Sequence, residues 1–191
     1  MKCLMCESLS FTHICKNCQE TFLQPQIFKR KIYANIDVIS FYKYSEIKEL
    51  LHTKHTDLGY YIYSILAKNS MAKFAKEFSF EKPVVSVAID DNVKSGYSHT
   101  AILNNSLNSQ FIKPLHSKLR AKNDISYSGK SREFRMLNPR GFYVKKFDGD
   151  DVILIDDLIT TGLTLTQAVQ VLKQNSKNIL FCLTLADASL K

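Results

Sequence analysis

The stretch "DDVILIDDLITTGLTLTQA", Asp150 to Ala168, decides the fold. Four apolar residues run into two carboxylates, a turn rich in threonine follows, and a helical pattern then begins. This order predicts a buried strand, a tight turn and a helix. In an open parallel sheet ligands bind beyond the carboxyl ends of the strands, where helix amides, threonine hydroxyls and the helix dipole favour a phosphate. Gly162 would let the backbone approach that ligand closely.

Two acids, Asp156 and Asp157, precede this predicted phosphate pocket. A carboxylate repels a phosphate, but it accepts hydrogen bonds from vicinal hydroxyls, and a bridging Mg²⁺ reconciles the two groups. The stretch therefore indicates a ribose that carries a 5′-phosphate. The alternative is that the Asp, Thr and Gly residues serve only as caps at a strand–turn–helix junction.

The rest of the 191-residue chain predicts an α/β domain with a small appendage. Continuous apolar runs such as "PVVSVAI" and "NILFCLTLA" alternate with helical patterns, which is typical of a parallel sheet flanked by helices. We expect a module over residues 1–24, a short basic link in "PQIFKRK", and the α/β domain over 25–191. Because the sequence shows no export signal and no apolar run of membrane-spanning length, we expect a cytoplasmic protein without a transmembrane segment.

Four cysteines are grouped near the N-terminus as two C-x-x-C pairs separated by eight residues. Thiolates at this spacing can close a tetrahedral zinc site, and with all four positions taken by protein the metal would be structural. A redox pair or reduced thiols are the alternative. The predicted zinc ligands are Cys3, Cys6, Cys15 and Cys18.

Positive charge is concentrated in one segment. The net charge is +8, and residues 94–146 alone carry eleven Lys or Arg against two acids. Such a block suggests a phosphate-bearing partner, and its aromatic residues are the kind that stack on single-stranded DNA. A solvated lysine-rich surface is an equally good interpretation of the charge. The candidate nucleic-acid or diphosphate contacts are Lys94, Lys118, Arg120, Lys122, Lys130, Arg132 and Arg135.

The two acids followed by T-T-G-x-T resemble the phosphoribosyl diphosphate (PRPP) signature of type I phosphoribosyltransferases. Together with the four cysteines and "GKSREFRMLN" (129–138), they resemble the ComF family of competence-associated, phosphoribosyltransferase-like proteins. "SGYSHTAIL" (95–103) is similar to a further family segment, but Ser95, Ser98 and His99 differ from it.

The resemblance implies a PRPP site with Mg²⁺ and assigns its residues. Asp156 and Asp157 would contact the ribose hydroxyls as the catalytic acids, and the loop would hold the 5′-phosphate. The implied loop residues are Thr160, Thr161, Gly162, Leu163 and Thr164.

The resemblance also implies a biological role. We expect a protein that handles single-stranded DNA during natural transformation, beside competence-machinery proteins at the inner membrane. The alternative is an active phosphoribosyltransferase that transfers phosphoribosyl from PRPP to an unknown acceptor and releases pyrophosphate.

Overall fold

A mixed sheet of seven strands runs through the part of the chain that the computed structural model describes, residues 1–90, 96–122 and 132–190. The strands are β1 (Phe28–Lys31), β2 (Asp37–Lys43), β3 (Val84–Asp90), β4 (Ile112–Ala121), β5 (Phe142–Val144), β6 (Asp151–Ile159) and β7 (Asn178–Asp187). The helices are α1 (Lys16–Phe22), α2 (Tyr44–His52), α3 (Asp57–Asn69), α4 (Met71–Glu77), α5 (His99–Asn105), α6 (Arg132–Leu137) and α7 (Leu163–Gln174), with 3₁₀ turns at Tyr33–Asn35 and Thr53–His55.

The strand order is β1-β2-β7-β6-β3-β4-β5. The five inner strands are parallel, and β1 and β5 pair antiparallel at the two edges. The three central strands, β7, β6 and β3, are mostly apolar and buried, as expected for parallel strands that are covered on both faces. The predicted class, an α/β sheet flanked by helices with an N-terminal cysteine module, is confirmed.

Each face of the sheet has its own core. On the face that we call the α3 face, helices α2 to α5 and the N-terminal module cover a cluster that includes Ile153 and Ile155 of β6. On the opposite face, the α7 face, helix α7 covers a cluster that includes Val152 and Leu154. Successive side chains of β6 therefore point to opposite faces, and this alternation determines what its two acids contact.

The helices that follow β6 and β3 lie on opposite faces. Helix α7 follows β6 on the α7 face, whereas α5 follows β3 and packs on the α3 face against β3, β4 and β6. Because β6 and β3 are neighbours in the sheet, their carboxyl ends form the point at which the chain changes its direction of progress across the sheet. Open α/β sheets bind ligands at this switch point.

Several local predictions need correction. The last four residues of the link "PQIFKRK" form strand β1 (Phe28–Lys31), because they pair with β2 and complete the sheet edge. Helix α2 begins after Lys43, and the Glu46 carboxylate accepts the Lys43 amide at 3.1 Å. Strand β6 continues to Ile159, so Asp156 and Asp157 lie within the strand and not beyond it.

None of the helices in the described ranges has both the length and the apolar character needed to cross a bilayer. The boundary predicted between residues 24 and 25 stays a prediction. Residues on both sides of it share one core, since Leu23 is buried with the α3-face cluster and its carbonyl accepts a hydrogen bond from Tyr42 at 3.0 Å.

Candidate functional site

The turn between β6 and α7 has an open helix N-terminus. Gly162 takes a left-handed conformation (φ 78°), and an added Cβ would lie 2.8 Å from Ile32 Cγ2, so glycine is required here. Gly162 has no side chain to cap the helix; the Thr161 hydroxyl accepts the Leu163 amide at 3.4 Å, and the first ladder bond joins the Thr166 amide to the Gly162 carbonyl at 2.9 Å. Over its 12 residues α7 directs its dipole at this turn, which favours an anion.

A row of polar side chains lies beside this turn on the α7 face. Ser40 of β2 and Thr184 of β7 are buried partners at 2.7 Å, and Thr184 stands in register with Asp156 of β6. Asp156 is half-buried, and its Oδ1 accepts the Asp157 amide at 2.9 Å. Because Asp156 follows Val152 and Leu154 in the alternation of β6, it lies on the same face as the start of α7.

Asp157 faces the opposite side and is buried in a network on the α3 face. Its Oδ2 lies 3.1 Å from Lys54 Nζ, 3.1 Å from the Tyr63 hydroxyl and 3.5 Å from His99 Nε2. These three groups come from a 3₁₀ turn, from α3 and from α5, so the carboxylate joins three separate elements.

Positive charges in the network offset the cost of burying the Asp157 carboxylate. Burial raises the pKa of Asp157, but the charges of Lys54 and His99 and the Tyr63 hydrogen bond outweigh burial and hold that pKa well below its ordinary value. Burial, followed by the nearby Asp157 charge, raises the pKa of Tyr63 well above its ordinary value. Asp157 is therefore an ionised carboxylate with internal partners.

The end of β1 and the residue that follows it contact the β6–α7 turn. Arg30 of β1 donates from Nη2 to the Thr160 carbonyl, and its Nε lies 3.1 Å from the buried carboxylate of Asp187 at the end of β7. Ile32 contacts the turn at Gly162. Arg30 and Ile32 thus lie against the turn over residues 160–164, the candidate phosphate loop. The cysteine module instead packs on α3, where the His13 ring stacks on Tyr61 at 4.5 Å.

The four predicted zinc ligands are brought together. The sulfur atoms of Cys3, Cys6, Cys15 and Cys18 all lie within 4.8 Å of one another, and Cys6 Sγ and Cys15 Sγ are 3.7 Å apart. A tetrahedral zinc site with Zn–S bonds of about 2.3 Å needs S–S separations of about 3.8 Å. The donor set and its geometry therefore fit a structural zinc ion.

Hydrogen bonds lower the pKa of two of these thiols, Cys3 and Cys6, whereas burial raises that of Cys18. The amides of Met5 and Cys15 lie 3.4 and 3.3 Å from Cys3 Sγ. Burial raises the pKa of Cys3, but these amides and that of Cys6 outweigh burial and lower it to about 6. The Ser8 hydrogen bonds lower the pKa of Cys6. Both effects favour thiolates, the form that binds zinc.

The predicted basic contacts are only partly described. Arg120 and Lys122 are exposed at the carboxyl end of β4, where Arg120 Nη2 lies 3.2 Å from Ser117 Oγ. Lys118 Nζ donates to the Lys146 carbonyl at 3.2 Å. The remaining four fall outside the described structure, as whole residues for Lys94 and Lys130 and as side chains for Arg132 and Arg135.

The predicted loop residues lie in the turn between β6 and α7, whereas the two predicted acids are separated by the sheet. Thr160 and Thr164 are half-buried and Thr161 is exposed around the turn. Asp156 and Asp157 lie on different faces of the sheet, which a pattern of adjacent acids does not reveal. Sequence reasoning missed Lys54, Tyr63, His99 and Arg30; the only available signal was His99, which departs from the family pattern in "SGYSHTAIL".

Solved structures similar to this chain include several phosphoribosyltransferases. A hypoxanthine phosphoribosyltransferase from Staphylococcus aureus is 19% identical with a TM-score of 0.41; the match covers 65% of this chain and 62% of that one. An adenine phosphoribosyltransferase is 15% identical with a TM-score of 0.43, over 89% of this chain and 88% of that one. An orotate phosphoribosyltransferase from Aeropyrum pernix is 12% identical with a TM-score of 0.41, over 90% and 80%.

At these identities and TM-scores the similarities carry no argument about activity. No protein-family model matches the chain, and no curated protein matches it. The ComF resemblance therefore stays a prediction from the sequence.

Proposed function

We propose that the chain binds a phosphorylated ribose, PRPP with Mg²⁺, at the carboxyl edge of β6. The observation that carries the proposal is the open N-terminus of α7 behind Gly162, with the Asp156 carboxylate on the same face of the sheet. The helix amides and dipole provide a site for the 5′-phosphate. The carboxylate accepts hydrogen bonds from the sugar hydroxyls.

In this proposal Mg²⁺ binds between Asp156 and the phosphate oxygens of PRPP. Asp156 offers the oxygen ligand that Mg²⁺ prefers, with the remaining ligands coming from the phosphate oxygens. When bound, Mg²⁺ supplies positive charge to the diphosphate. The protein's own contribution is to orient the sugar through Asp156 and to hold the phosphate loop through Arg30.

Calorimetric titration of PRPP in the presence of Mg²⁺ tests this proposal. Asp156→Asn should weaken binding by roughly tenfold or more, because charge-assisted hydrogen bonds to the hydroxyls are lost. Asp150→Asn is the matched control, since that carboxylate is 81% exposed at the opposite end of β6. An affinity that Asp156→Asn and Asp150→Asn leave equally unchanged would contradict the site.

A second function, handling of single-stranded DNA, is favoured by the exposed cations Arg120 and Lys122 at the end of β4. Backbone phosphates of a single strand would contact such cations, and the competence role predicted from the sequence would use them. This role, and transfer of phosphoribosyl to an acceptor, go beyond the binding proposal.

Fluorescence anisotropy of a labelled single strand across a salt series tests the DNA role. Arg120→Glu combined with Lys122→Glu should weaken binding and reduce the slope of log affinity against log salt. The control is Lys48→Glu combined with Lys76→Glu, which makes the same change in net charge at exposed positions of α2 and α4. Equal losses in both double variants would show that only net charge matters and would remove the proposed contact surface.

A further inference from the structure

The two acids of β6 have different surroundings, although they are neighbours in sequence. Asp156 is half-buried on the α7 face, in the polar row beside the phosphate loop. Asp157 is 7% exposed on the α3 face and is held by Lys54, Tyr63 and His99. A carboxylate that is buried against these partners on the other side of the sheet cannot contact the same sugar hydroxyls without breaking its network.

Lys54 is the member of the network that reaches solvent. Its side chain is 27% exposed, against 8% for that of His99. Its position is fixed at both ends: the ammonium lies 3.1 Å from Asp157, and its carbonyl accepts the Tyr97 hydroxyl at 2.8 Å. The same hydroxyl lies 3.1 Å from the Thr56 carbonyl, so Tyr97 holds the whole 3₁₀ turn that carries Lys54.

We propose that Asp157 is a positioning residue rather than a sugar ligand, and that it holds the Lys54 ammonium at the site as a cation for the diphosphate of PRPP. This inference rests on the proposed function. In the proposed complex the 5′-phosphate accepts hydrogen bonds from the first amides of α7, on one face of the sheet. The diphosphate at C1 needs positive charge, and Lys54 offers it from the other face, beside the residue that follows Asp156.

A fixed ammonium suits this task better than a mobile one. A lysine side chain loses conformational entropy when it becomes ordered on a ligand. Here the contact with Asp157 has already ordered the side chain before binding, so less of that entropy is lost when the diphosphate arrives.

Binding measurements with two ligands distinguish the roles of Asp156 and Asp157. Ribose 5-phosphate has the hydroxyls and the 5′-phosphate, whereas PRPP adds the diphosphate. Calorimetry with Mg²⁺ should show that Asp156→Asn weakens both ligands. Asp157→Asn and Lys54→Met should weaken PRPP by about tenfold and change ribose 5-phosphate by less than about twofold.

A double-mutant cycle then tests whether Asp157 acts through Lys54. In the Lys54→Met background, Asp157→Asn should cause no further loss of PRPP affinity. Thermal unfolding of each variant shows that it is folded, and Lys54→Met keeps the test available if Asp157→Asn does not fold, because Lys54 is partly exposed.

The outcomes distinguish the two proposals. If Asp157→Asn weakens ribose 5-phosphate as much as Asp156→Asn does, Asp157 is a sugar ligand and the inference is wrong. Additive losses in the cycle would also overturn it, as would an unchanged PRPP affinity in Lys54→Met. If the wild-type protein binds neither ligand, the proposed function itself fails, and the inference that rests on it fails too.

Discussion

The N-terminal cysteine module and the Asp157 network are both clusters of ionisable side chains, but their charges are neutralised in different ways. The module brings four like groups within 4.8 Å, and as thiolates they would repel one another without an added cation. The network surrounds one carboxylate with Lys54, His99 and Tyr63, so it contains its own counter-charge. The first cluster can hold a metal ion that would supply the missing positive charge, whereas the second depends on packing that brings distant elements together.

Loss of a module cysteine should have the largest effect. Cys3→Ser removes a buried ligand, so we expect loss of zinc and disorder of the module, since zinc binding contributes on the order of 10 kcal/mol to folding in isolated zinc-finger peptides. Elemental analysis and amide exchange measure the two effects. Cys182→Ser is the control, because Cys182 is buried in the α7-face core and should leave the zinc content unchanged. If the wild-type protein, prepared without chelators, contains no zinc, the prediction that the cysteine module binds zinc is wrong.

Removal of the central acid should have the next largest effect. Asp157→Ala leaves Lys54 without its carboxylate, and because Lys54 is partly exposed we expect a loss of about 3 kcal/mol in the free energy of unfolding. Denaturant titration measures it. Chelation of zinc should not change the size of this loss, since the network and the cysteine module share no residue. A loss that disappears on chelation would contradict the independence of the two clusters.

The same network predicts how stability depends on pH. Asp157 has a lowered pKa in the folded protein, so its contribution is present above the unfolded value of about 3.9 and is lost as the pH falls below it. Unfolding free energies between pH 3 and 7 should therefore fall less steeply on the acid side in Asp157→Asn than in the wild type. Parallel curves would show that folding does not lower the pKa of Asp157.

A smaller loss should follow from disturbing the turn that carries Lys54. Gly59→Ala would place a Cβ against the Tyr97 hydroxyl and the Thr53 carbonyl, which are too close to accommodate it. We expect a loss of about 2 kcal/mol from overpacking, measured by denaturant titration. Gly96→Ala has no atom within 4 Å of the added Cβ and should cost about 1 kcal/mol from its positive φ alone. Equal losses at both glycines would mean that the contact with Tyr97 is unimportant.

The smallest loss of stability should follow from removing Arg30, which contacts the turn between β6 and α7. Arg30→Leu removes the contacts to Asp187 and to the Thr160 carbonyl. We expect a loss of about 1 kcal/mol, because the Asp187 carboxylate keeps the hydrogen bonds that the Ser189 amide and hydroxyl donate at 2.8 Å. Lys31→Leu is the control in the same strand, since its ion pair with Asp37 is exposed and should contribute almost nothing. Urea titration distinguishes the two, and an equal effect would remove Arg30 from the account.

The sequence predicts well what is local and periodic. The β6–α7 stretch, the parallel core strands and the four cysteines are each recognisable from spacing, because strand and helix periods and C-x-x-C turns involve neighbours in the chain. The link 25–31 was missed as a strand, since an edge strand needs only one partner and carries a weak apolar signal.

Contacts between distant residues could not be predicted in the same way. Lys54, Tyr63 and His99 reach Asp157 from 103, 94 and 58 residues away. Neither "HTKHTD" nor the apolar pattern of α3 indicates that Lys54 and Tyr63 contact a buried carboxylate. The opposite orientation of Asp156 and Asp157 follows from strand alternation, but only once the strand is known to extend to Ile159.

Hydrogen exchange of the β6–α7 turn, with and without PRPP and Mg²⁺, tests the central claim most directly. If the 5′-phosphate binds the start of α7, the backbone amides of residues 161–165 should become protected, whereas those at the C-terminal end of α7 should not change. Unchanged exchange at 161–165 under conditions that saturate the protein with ligand would place the ligand elsewhere and contradict the account.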